Sequence, residues 1–484
     1  MSTINSTGSA APPPSGQPPD LNLVPADVEA LAHELLAYHA EFAPLFRRAE
    51  QRHWALAYLQ GQLLHLERKS IEPMALALAS GDVQAMQQVI SQGAWDDARI
   101  LAHHQQLVAQ TLGDAATGVL ILDGCDFPKQ GTHAVGVARQ WCGALGKVAN
   151  CQASVVACYA SQAGSTLIDR RLFLPEAWFS AEYAPLRTEC GVPPELAFQT
   201  HTELAWDILQ HVHARQVLPF GWVLCDEAFG KDPAFLDRIA AANLLYLAEV
   251  PHTTRGWLIP PATIVPPPTG KQGRPPRKAR LAPDAPPPVR VDALAPQVPP
   301  DHWCRYQIKE GAKGPMVAEF AFLRMVAVRD GMPGPVNWLV LRRSLDATPE
   351  LKTYLSNAPA STAQPTLVAK SGMRWPVESA IAESKGECGM DHDEVRGWVG
   401  WHHHMTMTCL AHHFLVRQRC RLGEKGGGAH GAASAGAMTS GVAQARSRRY
   451  NRHRADPIHP GAKRRGLPVP PPPHRAAARR FVTK

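Results

Sequence analysis

From Ala26 to about Gly113 apolar residues recur at helical spacing: Val28, Leu31 and Leu35, then Leu56, Leu59, Leu63 and Leu66. That period predicts a run of helices. Arg47, Arg48, Arg52, Arg68 and Lys69 lie along them, as a solvated face or, in the sharper reading, as a DNA-contacting one. The texture changes at Thr117. GVLILDG is a short branched run closed by Gly, the mark of a buried strand, and CQASVVACYA (151–160) and STLIDRRLFLP (165–175) continue as a meander. A helical stretch over 203–215 precedes the strand in GWVLCDEAFG (221–230); a helix over 232–241 and a strand in LLYLAEV (244–250) follow. Strand and helix alternating in this way predict an α/β domain. Further strands are expected in WCRYQIKEG, MVAEFAFLRMVAV, VNWLVLRRSL and LKTYLSN, as an antiparallel β insertion or a return into the first sheet. A helix resumes at Trp375, and 401–420 (WHHHMTMTCLAHHFLVRQRC) reads as an amphipathic one.

Composition narrows the class. A chain of 484 residues, 45% hydrophobic, is long enough for about three structural units. Its 44 prolines and 37 glycines predict linkers or tails besides the packed core. The ten cysteines are scattered with no CxxC pair, against a zinc finger or a secreted disulfide scaffold. No run approaches 18 apolar residues, and the N-terminus has neither a basic start nor an apolar stretch. A soluble, cytoplasmic protein is the expectation. The formal net charge of +8 belongs to the tail, where residues 422–484 hold thirteen Lys and Arg against Glu424 and Asp456. The rest of the chain is slightly acidic, so charge alone says little about a nucleic-acid partner.

Two predicted strands end on an acid, Asp123 after VLIL and Asp226 after WVLC. Functional side chains of α/β folds gather at the carboxyl ends of strands. Two acids brought together there can share a hard cation such as Mg²⁺ or Mn²⁺. A third acid, Glu378, falls on one helix face with Arg374 and Lys385 at spacings of four and seven, whereas Glu383 and Glu387 point away from it. Pro376 is tolerated in the first turn of that helix. Other candidates read more simply. His402, His403, His404, His412 and His413 lack a zinc spacing and read as packing or surface residues. Cys225 is a small core residue, and GALGK (143–147) has neither the spacing nor the following helix of a phosphate loop.

Three stretches, 122–152, 219–235 and 374–415, together resemble the DDE transposases of bacterial insertion sequences, more narrowly the insertion-sequence-701 type. Arg374, Glu378 and Lys385 also match the R, E and K of the Y-(2)-R-(3)-E-(6)-K signature of hairpin-forming relatives, with Ser371 at the tyrosine position. The resemblance implies an α/β, RNase H-like catalytic core with a β-rich insertion, preceded by an α-helical N-terminal domain. It implies metal-binding catalytic residues Asp123, Asp226 and Glu378, holding two Mg²⁺ or Mn²⁺ ions. The family usually reads Asp-Asp-x-Gly-Phe-Pro-Lys where this chain has Asp123-Gly124-Cys125-Asp126-Phe127-Pro128-Lys129, so Asp126 is the fallback ligand. Arg374 and Lys385 would grip phosphates, with Lys129, Arg139, Lys147 and the basic Pro-rich segment 266–280 extending the track.

The expected division is a disordered 1–25, a helical DNA-binding domain over 26–113, core over 114–255, Pro-rich segment and insertion over 256–370, core helices over 371–421 and a basic tail over 422–484. The partner is double-stranded DNA, at transposon ends and target, bound by a homodimer in a nucleoid-associated setting. A transposase-derived DNA-binding protein without catalysis is the alternative, and a nuclease that cuts but never joins a third reading. The tail has the Ala/Gly/Arg/Pro texture of a GC-rich gene read out of frame; a frameshift after about Arg421 and a disordered DNA-binding tail remain equal readings.

Overall fold

The computed structural model describes residues 25–79, 81–266, 278–311 and 314–425. The expected disordered stretch before residue 25, most of the basic segment 266–280 and the tail beyond Lys425 lie outside the described residues. Five helices come first: α1 Pro25–Phe42, α2 Ala49–Gln62, α3 Ile71–Ala77, α4 Val83–Ser91 and α5 Asp97–Leu112. Strands β1 Val119–Pro128, β2 Ala138–Cys142, β3 Lys147–Ser161 and β4 Gly164–Phe173 form the meander. Helices α6 Ala184–Glu189 and α7 His201–Arg215 lead to β5 Trp222–Cys225, then α8 Glu227–Gly230, α9 Pro233–Ala241 and β6 Leu245–Glu249. Short pieces follow: β7 Arg255–Trp257, β8 Thr263–Ile264, β9 Arg280–Leu281, β10 Val289–Arg290 and α10 Val291–Leu294. The long strands β11 Cys304–Gly311, β12 Gly314–Arg329, β13 Met332–Arg343 and β14 Leu351–Ser356 precede α11 Gln364–Gly372, α12 Trp375–Cys388 and α13 Trp398–Lys425.

Five strands lie in the order β4-β3-β1-β5-β6. The first three pair antiparallel, while β5 and β6 run parallel to β1. An antiparallel meander extended by two parallel strands from its first member is the RNase H-like arrangement. Of the two expected courses for the later strands, an insertion or a return into the first sheet, they take the return. β14 pairs antiparallel with β6, so β7, β10 and β11 to β14 continue the same twelve-stranded sheet. The β12–β13 hairpin turns on Asp330 and Gly331, both at positive φ, as a two-residue turn matching strand twist requires.

The sheet is buried on both faces because its strands alternate between two cores. Val119 and Ile121 of β1 join the core that holds α12 and α13, and Leu120 and Leu122 join the one beneath α7 and α9. Helices α1 to α5 share the first of these cores. Here α13 departs from expectation: it is buried almost all round rather than amphipathic, since α2, α4 and α5 cover the side that α12 and β4 leave free. Many of its polar side chains find partners in that packing. His404 Nδ1 lies 2.8 Å from the Tyr58 hydroxyl, Gln62 donates to Thr408 Oγ1 at 2.9 Å, and His403 stacks on Trp95 at 3.5 Å. The histidines of α13 are therefore packing residues. Among the described residues no helix is long and apolar enough to cross a membrane.

Burial pushes His104 down to about 4 and His39 likewise to about 4. Between pH 6.5 and 4 the unfolded chain takes up protons at these imidazoles that the folded chain refuses. Their contribution to stability is whole above about pH 6.5 and is lost towards pH 4, roughly 3 kcal/mol for fully buried His104. Glu383 behaves in the usual acidic sense: burial opposes its ionisation, but His412 and Arg419 hold it at about 2, so its share is lost between about pH 4.5 and 2. The urea midpoint at pH 4.5 should fall well below that at pH 7.5; equal midpoints would contradict this account.

Candidate active site

Parallel pairing sets the site. Leu122 of β1 is opposite Cys225 of β5, and Cys225 is opposite Ala248 of β6. The next residue on each strand is an acid: Asp123, Asp226 and Glu249. Asp123 does not end its strand as expected: β1 runs on to Pro128 because its other edge stays paired with β3, and only its pairing with β5 stops at Leu122. Neighbouring strands are about 4.8 Å apart, so three carboxyl groups leave the sheet side by side. Alternation places all three on the face that carries α12, since Ile121, Leu224 and Leu247 beneath them pack into that core. Asp226 also caps α8, accepting from the Ala228 amide at 3.0 Å, and the Gly124 amide donates to Asp123 Oδ1 at 2.8 Å.

Helix α12 begins over these strand ends, with Pro376 in its first turn. Glu378 sits in that turn, and Arg374 caps it. The Arg374 guanidinium stands at the centre: Nη1 is 3.7 Å from Asp123 Oδ2, Nε is 3.7 Å from Glu249 Oε2, and Nη2 donates to Glu378 Oε1. Burial and then the Asp226 charge push the Asp123 carboxyl up to about 7, with Arg374 opposing them. Burial also raises Asp226, against Arg374 and the amides of Phe229 and Ala228. Glu249 is held from its other side by Lys352 of β14 at 3.2 Å. On the rim, Lys309 of β11 lies over the half-exposed Trp375 ring at 4.7 Å.

The helix is fixed from behind. Glu383 faces α13 and accepts from Arg419 at 2.5 Å with His412 Nε2 at 3.2 Å. Lys385 donates to the Asp126 carbonyl at 2.8 Å, tying α12 to β1. Asp126 itself is not brought to the acids. Three positions beyond Asp123, its side chain leaves the opposite face of the strand and accepts from the Gly143 amide at 2.5 Å. Lys129 turns inward onto Asp393 at 2.9 Å, whereas Arg139 and Lys147 are exposed on the β2–β3 hairpin beside exposed Trp141. Lys69, too, points inward, to the carbonyls of Gln62 and Glu387. Cys225 is buried, and GALGK forms a single turn followed by a strand.

Sequence reasoning missed Glu249. Its signal was the one that found the other two, a short apolar strand ending on an acid. The donor set is all oxygen and suits a hard cation, and crowded carboxylates that lift the Asp123 pKa favour one further. As placed, no three His, Cys, Asp or Glu side chains among the described residues stand close enough to hold a metal ion, because Arg374 fills the centre. The guanidinium is the cation that stands among these oxygen donors, which are of the kind a hard metal ion takes.

An RNase H-like sheet with one acid within its first strand, another just after the adjacent parallel strand and a third on a later helix is an arrangement found in nucleic-acid-cutting folds. A sequence profile described as "DDE superfamily endonuclease" matches residues 41–315, more than half of the chain, and the protein belongs to that family. Arg374 and Glu378 fall beyond the matched stretch. Among solved structures the chain is similar to the piggyBac transposase in its cryo-EM synaptic complex with hairpin DNA. That match has 11% identity and a TM-score of 0.37, covering 90% of this chain and 83% of that one. No curated protein matches the sequence.

The charges around Asp123 predict their own removal. Asp226→Asn should lower the Asp123 pKa below about 7, and Arg374→Met should raise it. Carbon-13 carboxyl shifts of aspartate-labelled, metal-free protein measure both; movement in the opposite sense would refute the electrostatic picture.

Proposed function

We propose that this protein is a DNA transposase of the insertion-sequence-701 type, which binds the ends of its element and cleaves and joins phosphodiester bonds with Mg²⁺ or Mn²⁺. The observation that carries the reading is the gathering of three acids on neighbouring strands of an RNase H-like sheet: Asp123 pairs with Arg374, which also holds Glu378, and Asp226 on the next strand lies within reach of the same charge. Divalent cations held by these three carboxylates, a pair in the two-ion version, supply charge stabilisation for in-line displacement at phosphorus.

The chain's own residues do the rest. Asp123 and Asp226, fixed by strand register, and Glu378, fixed by α12, define where the phosphate must sit. Arg374, released from them, offers a planar fork to its non-bridging oxygens. Lys385 anchors α12, and its ammonium lies along β1 towards the same edge. Lys309 and Trp375 border the opening, and Arg139 and Lys147 extend positive charge along the β2–β3 hairpin. In cleavage, water oxygen bonds to phosphorus, the bond to the 3′-oxygen breaks and a 3′-hydroxyl is released with the water proton. In joining, that hydroxyl attacks a phosphodiester of the target and displaces its 3′-oxygen. The helical N-terminal region and a second copy of the chain complete the grip on double-stranded DNA. Binding should weaken steeply with salt, as phosphate contacts dictate.

Purified protein incubated with a supercoiled plasmid carrying the gene's flanks and Mg²⁺ or Mn²⁺ should break the DNA at the element ends. Asp226→Asn should abolish the breaks while retaining DNA binding. Specific binding without cutting by the unaltered protein would favour the non-catalytic DNA-binding alternative, and cutting without joined products would favour a simple nuclease.

A further inference from the structure

We infer that Glu249 is a positioning residue: it holds Arg374 by its Nε edge, leaving both Nη groups for a phosphate when Asp123 and Glu378 turn to the metal. The inference rests on the proposed function and assigns a role to a carboxylate outside the triad.

The Arg374 guanidinium is shared among three acids. Its three nitrogens go to three different acids: Nε to Glu249, Nη1 to Asp123 and Nη2 to Glu378. Two of those acids are the proposed metal ligands, so a bound cation withdraws them from the arginine. Glu249 remains. Its two oxygens are separately committed, Oε1 to Lys352 at 3.2 Å and Oε2 to Arg374. A carboxylate already facing two cations is poorly placed to join a metal and well placed to anchor an arginine. Lys352 reaches it from β14, whose Tyr354 pairs with Glu249 across the sheet, so the anchor is fixed by backbone register rather than by a loop. The insertion thereby touches the site: β14 supplies the lysine that fixes the acid that fixes Arg374. With the Nε edge held, the two Nη groups point away from the anchor, and their spacing matches two phosphate oxygens. Without Glu249 the guanidinium has only the two metal ligands to rest on, and competes with the cation for them.

The test is a double-mutant cycle read by Mn²⁺ binding to DNA-free protein, with free Mn²⁺ followed by electron paramagnetic resonance. Glu249→Gln keeps the volume and an oxygen for Lys352. It should weaken Mn²⁺ binding by about 10-fold, the usual effect of losing an outer-shell partner. In an Arg374→Met background the same change should have less than about a two-fold effect, because the arginine through which Glu249 acts is gone. Glu249→Asp should recover part of the affinity. Equal weakening in both backgrounds would make Glu249 a ligand in its own right and overturn the inference. Unchanged Mn²⁺ affinity in Glu249→Gln would overturn it as well while leaving the transposase reading standing. Absence of Mn²⁺ binding by the unaltered protein would overturn both. Cleavage supplies the second readout: kcat on element-end DNA should fall in Glu249→Gln with KM little changed, and a fall confined to KM would contradict a role at the scissile phosphate.

Discussion

The structure depends on one register. Leu122, Cys225 and Ala248 lie opposite one another on three parallel strands, and that alignment brings Asp123, Asp226 and Glu249 level on one face. Three carboxylates in a row, half buried, are unfavourable on their own. The fold answers with two cations from two other directions: Arg374 at the start of α12 and Lys352 on β14. Burial first, and then the Asp226 charge, still keep the Asp123 pKa raised.

Keeping α12 over those strand ends is the work of the buried helix behind it. α13 is lined with histidine, threonine and glutamine, an unusual composition for a central helix, and it is stable there because the N-terminal helices give these groups partners. Tyr38 and Tyr58 reach His413 and His404, while Gln62 reaches Thr408. On its other side His412 and Arg419 hold Glu383 of α12. The N-terminal helices are thus mechanically continuous with α12, the helix that carries Arg374 and Glu378. A polar network of this kind fixes one packing more sharply than an apolar one, because a slip leaves buried groups unpaired. Its cost appears in acid, where neutral buried imidazoles take up protons on unfolding.

Much of the site was legible in the chain. An apolar strand stopping on an acid marked Asp123 and Asp226, and helical spacing put Arg374, Glu378 and Lys385 on one face. The same rule pointed to Glu249 in LYLAE, but nothing in the sequence says that this strand is the parallel neighbour of β5. Asp126 shows the converse. Its position beside Asp123 made it a reasonable substitute ligand, yet an odd spacing along a strand sends it to the other face. Lys129 looked like a free cation, and only the fold places Asp393 against it.

Local chemistry, then, determined the elements: branched apolar runs became strands and period-3.6 runs became helices, although β1 runs past Asp123 to Pro128. These outcomes depend on interactions within a few residues, so the sequence carries them directly. Tertiary structure decided which strand ends meet, that the insertion extends the sheet instead of standing apart, and which charges are spent on internal pairs. It also decided that α13 is buried all round. Each of these rests on contacts between segments up to hundreds of residues apart, such as Tyr38 with His413, and no local pattern encodes the partner.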